Sequence, residues 1–347
     1  MWYQSRTAGL VWRQGGMSLR LPLGPGLAAL AGLGLLLLLL GLCLMAGDTW
    51  LVPADLLSLW RGEAEPWLRL LVWDIRLPRL LTGLGVGAVL ALAGSLLQAV
   101  ARNPLATPDL LGINHGALLA VLAGLWLGNS PLLGGALLAG LGASVTLLLL
   151  LLLCGRGLQG HRLVLMGLGL GIALRAAGEM VITQLPLHQA ASVYTWSLGS
   201  LLGRDWSAVQ QVSLGLAVLL PLARWLGQPL TLLRFEPALA RSLGVRLLPL
   251  RWLALLLAAA SAGLATALAG PIAFVALMAP VILQRLAPGT RLPLVRSALL
   301  GGATVMLADT LGRVILPQGE LPVGVICTLL GGPFLLWLLW QAPPDKE

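Results

Sequence analysis

Ten long apolar runs, parted by short stretches of charge, glycine and proline, make up almost the whole chain. They fall at about residues 27–46, 78–101, 114–128, 131–154, 162–183, 206–227, 250–268, 271–287, 296–313 and 322–340. Crossing the hydrocarbon core of a bilayer as a helix takes ~20 mostly apolar residues. The pattern therefore predicts an all-α integral membrane protein of about ten transmembrane helices. It divides the chain into an N-terminal segment 1–26, a transmembrane domain 27–340 and a short tail 341–347. An even number of crossings puts both termini on one side. So little chain is left between the runs that no sizeable soluble domain fits, and any catalytic domain must be supplied by another protein.

The longest polar interruption of the second half lies at about 228–250 and carries Arg234, Glu236, Arg241 and Arg246, with Arg251 just beyond. Its charges and its Gly and Pro breaks exclude a membrane span. Pro237 after Glu236 suits the opening of a short helix and Leu243-Gly244 suits a helix end, so the loop is expected as two short helices. It reads as a handle by which another protein moves the membrane part. Between the fifth and sixth runs, SVYTWSLGSLLGRDW at 192–206 predicts a short helix at a membrane interface, where Trp and Tyr concentrate. Gly83, Gly87, Ala91 and Ser95 on the second run, and Gly167 and Gly171 on the fifth, place small residues at helical spacing for close packing.

Composition agrees: 58% of the 347 residues are hydrophobic, 10% are charged and the mean hydropathy is +0.92. A soluble domain with so little charge could not cover its own surface. The net charge of +9 comes from basic residues scattered singly, without an aromatic-basic stripe, so the polyanion that matters is membrane lipid and not nucleic acid. Placing the N-terminus in the cytoplasm leaves Arg6, Arg13, Arg20, Arg102, Arg156, Arg162, Arg224, Arg234, Arg241, Arg246, Arg251, Arg285, Arg291, Arg296 and Lys346 inside. Arg61, Arg69, Arg76, Arg79, Arg204 and Arg313 fall outside, and Arg175 lies within a run. Fifteen against six favours this orientation under the positive-inside rule, and it makes the 228–250 loop cytosolic. The three arginines before the first run lack a small-residue cleavage signature after them, so the first span is expected to be retained.

Cys43, Cys154 and Cys327 sit singly in apolar runs and read as packing residues. His115, His161 and His188 lie far apart without acidic or cysteine partners at ligand spacing, and neither a phosphate-binding GxxxxGK[ST] loop nor HExxH occurs. The chain is thus expected to be no enzyme, with no cofactor and no metal site.

Four stretches together resemble one family: IRLPRLL at 75–81 with GSLLQAVARNPLATPDLLGINHGA at 94–117, LRFEPALARSLGV at 233–245, GPIAFVALMAPVILQRL at 270–286, and ADTLGRVILPQGELPVGVICTLLGGPFLLWLL at 308–339. They are similar to the FecCD-type permeases, the transmembrane subunits of bacterial ABC importers for ferric siderophores, haem and cobalamin. The resemblance implies the type II importer permease fold in a bacterial cytoplasmic (inner) membrane. It also implies a dimer with a second permease subunit, two cytosolic ATPase subunits and an extracytoplasmic substrate-binding protein. Arg234, Phe235, Glu236, Pro237, Ala238, Arg241, Ser242, Leu243 and Gly244 would form the element that couples to the ATPase. Arg76, Arg79 and Arg313 would receive carboxylates of the binding protein at the outer rim, and Asn103 and Leu105, on a bend made by Pro104, would form the cytoplasmic gate.

One feature departs from the family pattern: Arg175 and Glu179 stand four residues apart inside the fifth run. On a helix this spacing lets them pair on one face. Either charge alone at mid-span costs ~2.5–3.5 kcal/mol on insertion scales, so the pair is expected to face protein or a water-filled path, with the path favoured. An ion-coupled secondary transporter is the alternative; it would need intramembrane carboxylates, for which Glu179 and Asp309 are the candidates.

Overall fold

Each of the ten apolar runs is helical in the computed structural model of the chain, which describes residues 2–4, 10–14, 17–21, 25–126, 131–155, 160–233, 237–286, 292–316 and 319–341. In lipid an unpaired backbone amide has no water to bond, so a helix that satisfies its own amides is the local solution for every run. The ten are α1 (Pro25–Met45), α4 (Leu77–Ala101), α5 (Ile113–Trp126), α6 (Pro131–Cys154), α7 (Gly160–Thr183), α9 (Trp206–Leu232), α11 (Leu247–Ala269), α12 (Val275–Leu286), α13 (Leu294–Val314) and α14 (Val323–Trp340). Between them lie α2 (Pro53–Arg61), α3 (Pro66–Arg69), α8 (Leu187–Ser197) and α10 (Pro237–Ser242). Seven helices among the described residues are long and apolar enough to cross a bilayer; Leu30–Met45, Ile113–Trp126 and Val275–Leu286 are apolar but shorter.

Three differences from the sequence reading have local causes. The eighth run begins as a helix only at Val275, because Gly270 (φ +71°) and Phe274 (φ +66°) are left-handed and keep 270–274 irregular. The polar loop holds one short helix, α10, ended by left-handed Gly244 (φ +80°); what was expected as a second is the first turn of α11, from Leu247. The N-terminal segment contains a three-stranded antiparallel sheet of β1 (Trp2–Gln4), β2 (Leu10–Gln14) and β3 (Met17–Leu21). Gln14 pairs with Met17 at the near end of the β2–β3 ladder.

The bundle is organised around α4. A π-helical stretch, Leu70–Arg76, joins α3 to it without a break, and nearly every residue from Pro78 to Ala101 is buried. A membrane helix can lose its lipid face on all sides only if neighbours come close, and small residues permit this. A Cβ on Gly87 would strike the Gly301 carbonyl of α13, and one on Gly94 would strike the Ala276 carbonyl of α12. The predicted stripe is therefore a packing surface, with α9 and α11 completing the surround. A second group forms where α5 packs on α6 and α7. There Gly112 is left-handed (φ +74°), and a Cβ on it would lie 2.8 Å from the Gly171 Cα, so the glycines at 167 and 171 serve close approach. Cys43, Cys154 and Cys327 are free and buried.

Candidate functional site

At one end of the bundle α4 stops at Ala101, three residues before the proline expected to stop it. Arg102 turns left-handed (φ +52°), and its Nε donates to the Leu233 carbonyl at the end of α9 at 2.6 Å. Asn103 then closes an Asx turn: its Oδ1 accepts from the Leu105 amide at 2.9 Å, and its carbonyl accepts from the Ala106 amide at 3.1 Å. This side-chain-to-backbone bond fixes the relative position of Asn103 and Leu105, both half-buried. A cavity of about 270 Å³ opens beside the turn, lined by Gln98, Arg102, Asn103, Pro104 and Gln284 among others. Gln98 is buried with no hydrogen bond to its amide.

Behind the turn lies a polar connection that no motif announced. Asn114 donates through Nδ2 to Asp109 Oδ1, and its own Oδ1 accepts from Thr266 Oγ1 of α11 at 3.2 Å. Burial pushes the Asp109 carboxyl up to about 6, against the lowering effect of the Asn114 bond. The signal was the pair Asp109 and Asn114 five residues apart, which without Thr266 reads only as helix-start chemistry.

The link from Arg102 to Leu233 places α10 at the same end. Of the expected coupling residues, Arg234, Phe235 and Glu236 lie outside the described residues, as do the side chains of Pro237 and Ala238. Ser242 Oγ donates back to the Leu239 carbonyl at 2.8 Å, and the Gly244 amide donates to the Arg241 carbonyl at 2.9 Å. Ala240 is buried, whereas Leu239, Arg241, Ser242 and Leu243 are exposed. With Leu239 of the helix and Leu243 just after it in the open, the element projects with an uncovered apolar face.

Arg76, Arg79 and Arg313 do meet at the opposite end, but not as free rim charges. They are 4%, 7% and 5% exposed and their guanidiniums are engaged internally. Arg76 donates to the carbonyls of Leu44 (2.8 Å) and Thr49 (2.6 Å), the first of which lies in the last turn of α1, where carbonyls have no partner within the helix. Asp309 Oδ1 accepts from Arg79 Nε at 3.0 Å and Nη2 at 2.8 Å, and Arg79 Nη1 reaches Glu320 at 2.7 Å. Arg313 Nε faces Asp309 Oδ2 at 3.3 Å, an ion pair by distance without hydrogen-bond geometry. In the single chain the cluster ties α1, α4 and α13 together. Asp309, a candidate for ion coupling, serves as its buried counter-charge.

Arg175 and Glu179 pair as their spacing requires, Nε to Oε1 at 2.9 Å, with side chains 69% and 63% exposed. Among the described residues no three His, Cys, Asp or Glu side chains converge as a metal site would need.

Ten apolar helices, one of them buried among the others, with an Asx turn and a small projecting helix at one end, make a multi-pass membrane protein. The family model described as the FecCD transport family matches residues 35–341, and the chain belongs to that family. It is 39% identical over 322 residues to the vitamin B12 import system permease protein BtuC of Citrobacter koseri, covering 91% of this chain and 94% of the relative. To the protein of the same description from Salmonella typhi it is 40% identical over 323 residues, covering 91% and 95%. A solved structure described as an inward-facing metal-chelate type ABC transporter superposes with a TM-score of 0.78 at 26% identity, over 91% of this chain and 99% of that one. PsaBC from Streptococcus pneumoniae shares the fold, with a TM-score of 0.56 at 17% identity over 84% and 97%. The chain is a permease subunit of an ABC-type importer in the inner membrane, and nothing in these likenesses supports an ion-coupled secondary transporter.

Proposed function

We propose that this chain forms the membrane path by which an ATP-driven importer brings a metal chelate into the cytoplasm, with a corrinoid of the vitamin B12 kind as its cargo and ferric siderophores or haem as the competing candidates. The observation that carries the reading is the near-full-length likeness to two vitamin B12 import permeases at 39–40% identity. Arginine placement along the sequence supports a cytoplasmic location for both termini and for α10. The partners are a second permease subunit, two cytosolic ATPase subunits and an extracytoplasmic binding protein. Complexes assembled with the partner ATPase and binding protein, reconstituted in vesicles, should accumulate labelled cobalamin when ATP is supplied. Accumulation of none of the three chelates would defeat the proposal.

Coupling falls to α10 and its flanks, residues 234–244, because a short capped helix with exposed Leu239 and Leu243 can move as a rigid body when the ATPases close. Ser242→Cys in that complex should crosslink to the ATPase; a crosslink formed only from another loop would reassign the element.

Gating falls to Asn103 and Leu105, held on the Asx turn beside the Gln98 cavity. Asn103→Ala with Leu105→Ala should raise the leak of a small solute through the nucleotide-free complex, on the order of tenfold for a constriction that closes by excluding water. An unaltered leak with intact transport would leave the turn as a helix stop.

Docking falls to Arg79 by exchange. Glu320 is the more exposed of its two carboxylates, at 28% against 1% for Asp309, so a carboxylate of the binding protein takes the place of Glu320 while Asp309 stays.

A further inference from the structure

Of the seven helices long enough to span a bilayer among the described residues, α7 is the least covered, with 17% of its span buried. Its buried residues, Leu163, Gly167, Gly171 and Gly178, form one narrow stripe that packs on α5 and the turn before it. Beside that stripe Leu168, Ile172, Arg175, Glu179 and Thr183 are all exposed and share a face at 3.6 residues per turn. Apolar side chains there suit lipid, but two charges within the span do not.

His115 of α5 belongs to the same place. Gly112 abuts Gly171, and Leu122 abuts Gly178, 3.6 Å from where its Cβ would lie. These contacts bracket His115 at the level of Arg175, and the charges of both Arg175 and Glu179 act on its ring. Its Nδ1 is buried without a hydrogen-bond partner. The pair is likewise unsaturated: Arg175 uses one of its five N–H donors and Glu179 one of its two oxygens.

We infer that this face of α7 lines a water-filled substrate path and that Arg175, Glu179 and His115 form a recognition site for a ligand whose rim carries primary amides. The inference rests on the importer reading above. A guanidinium next to a carboxylate matches an amide: the ligand carbonyl accepts from an Arg175 Nη while its N–H donates to the free Glu179 oxygen. A ligand carboxylate would be repelled by Glu179 and a ligand cation by Arg175. A closed structural lock would be met as well by two apolar side chains, whereas a path needs polar contacts weak enough to release what they bind. A cobalamin presents such amides around its corrin ring.

The test uses the complete complex in vesicles. Ile172→Cys leaves the pair intact, and its thiol should react with a charged, membrane-impermeant thiol reagent and be protected by cobalamin; the native cysteines are buried. Arg175→Leu with Glu179→Leu should assemble and hydrolyse ATP as the parent does, yet import cobalamin roughly tenfold more slowly, the loss of about one charge-assisted hydrogen bond. The parent should prefer cobalamin over its monocarboxylate derivative, and Glu179→Gln should narrow that preference. An unreactive Ile172→Cys, a double variant that imports at the parental rate, or one that fails to assemble each overturns the inference, the last by making the pair a structural lock. A parent that imports only ferric siderophore overturns the amide assignment and leaves the importer reading standing; a parent that imports no chelate overturns the importer reading itself.

Discussion

Asp309→Leu should all but abolish the yield of folded permease. Asp309 is 1% exposed, and its Oδ1 alone holds two N–H groups of Arg79 while Oδ2 faces Arg313. Leucine matches its bulk but leaves two buried guanidiniums with only the exposed carboxylate of Glu320 beside them. Removing one partner of a buried ion pair costs ~3–5 kcal/mol because the other charge stays desolvated. Asp309→Asn, which keeps an acceptor but not the charge, should fall between. Size-exclusion profiles and thermal unfolding of detergent-purified protein read the effect; a leucine variant with parental yield and melting temperature would show that the cluster is not a structural tie. Glu320→Ala separates the docking hypothesis from this one. It should leave folding intact and tighten binding-protein docking by up to roughly fivefold, the ~1 kcal/mol an exposed pair is worth. Weaker docking in that variant would remove Arg79 as the receiving group.

A single methyl group should be nearly as damaging further along α4. In Gly94→Ala the new Cβ falls well inside contact with the carbonyl, C and Cα of Ala276, and backbone cannot swing aside as a flexible side chain can. Overpacking a core costs ~1–3 kcal/mol and occasionally more. Here the displaced partner is the first turn of α12, just after left-handed Phe274, so the strain is passed along a twelve-residue helix. Transport should fall more than tenfold with a lowered melting temperature, following the upper end of that range. Gly41→Ala on α1 is the control: nothing lies within 4 Å of its Cβ, and the exchange favours the helix by ~1 kcal/mol. Equal behaviour of the two variants would mean that the α4–α12 approach is looser than it looks.

Helix positions were legible because each depends on about twenty consecutive residues, and all ten apolar runs are helices. The eighth was misjudged at its start because hydropathy cannot distinguish helix from the irregular backbone of Pro271, Ile272 and Ala273. Hairpin pairing between residues 10 and 21 was hidden for the opposite reason, since orientation arguments weigh only the arginines there. The pairing of Arg175 with Glu179 was legible because four residues separate them. What Arg79 touches was not: its counter-charge is 230 residues away, and no local pattern links them. The resemblance placed the three arginines at the outer rim, and they do share one end of the bundle, but only coordinates reveal that their charges are already engaged. The turn after α4 was half legible; Pro104 marked the bend, while the Asx turn of Asn103 and the Asp109–Asn114–Thr266 connection needed the fold.

The separation of Arg79 from Asp309 also sets a clock. Ribosomes add about 5–20 residues per second, so after Arg79 is made its counter-charge follows roughly 10–50 s later. During that interval α4, which in the finished protein touches almost no lipid, stands in the bilayer with its flanks bare, and α9, α11 and α13 are still unmade. The counter-charge that holds Arg79 is therefore among the last parts of the bundle to be made, and the tie between α4 and α13 closes only when nearly all of the chain exists.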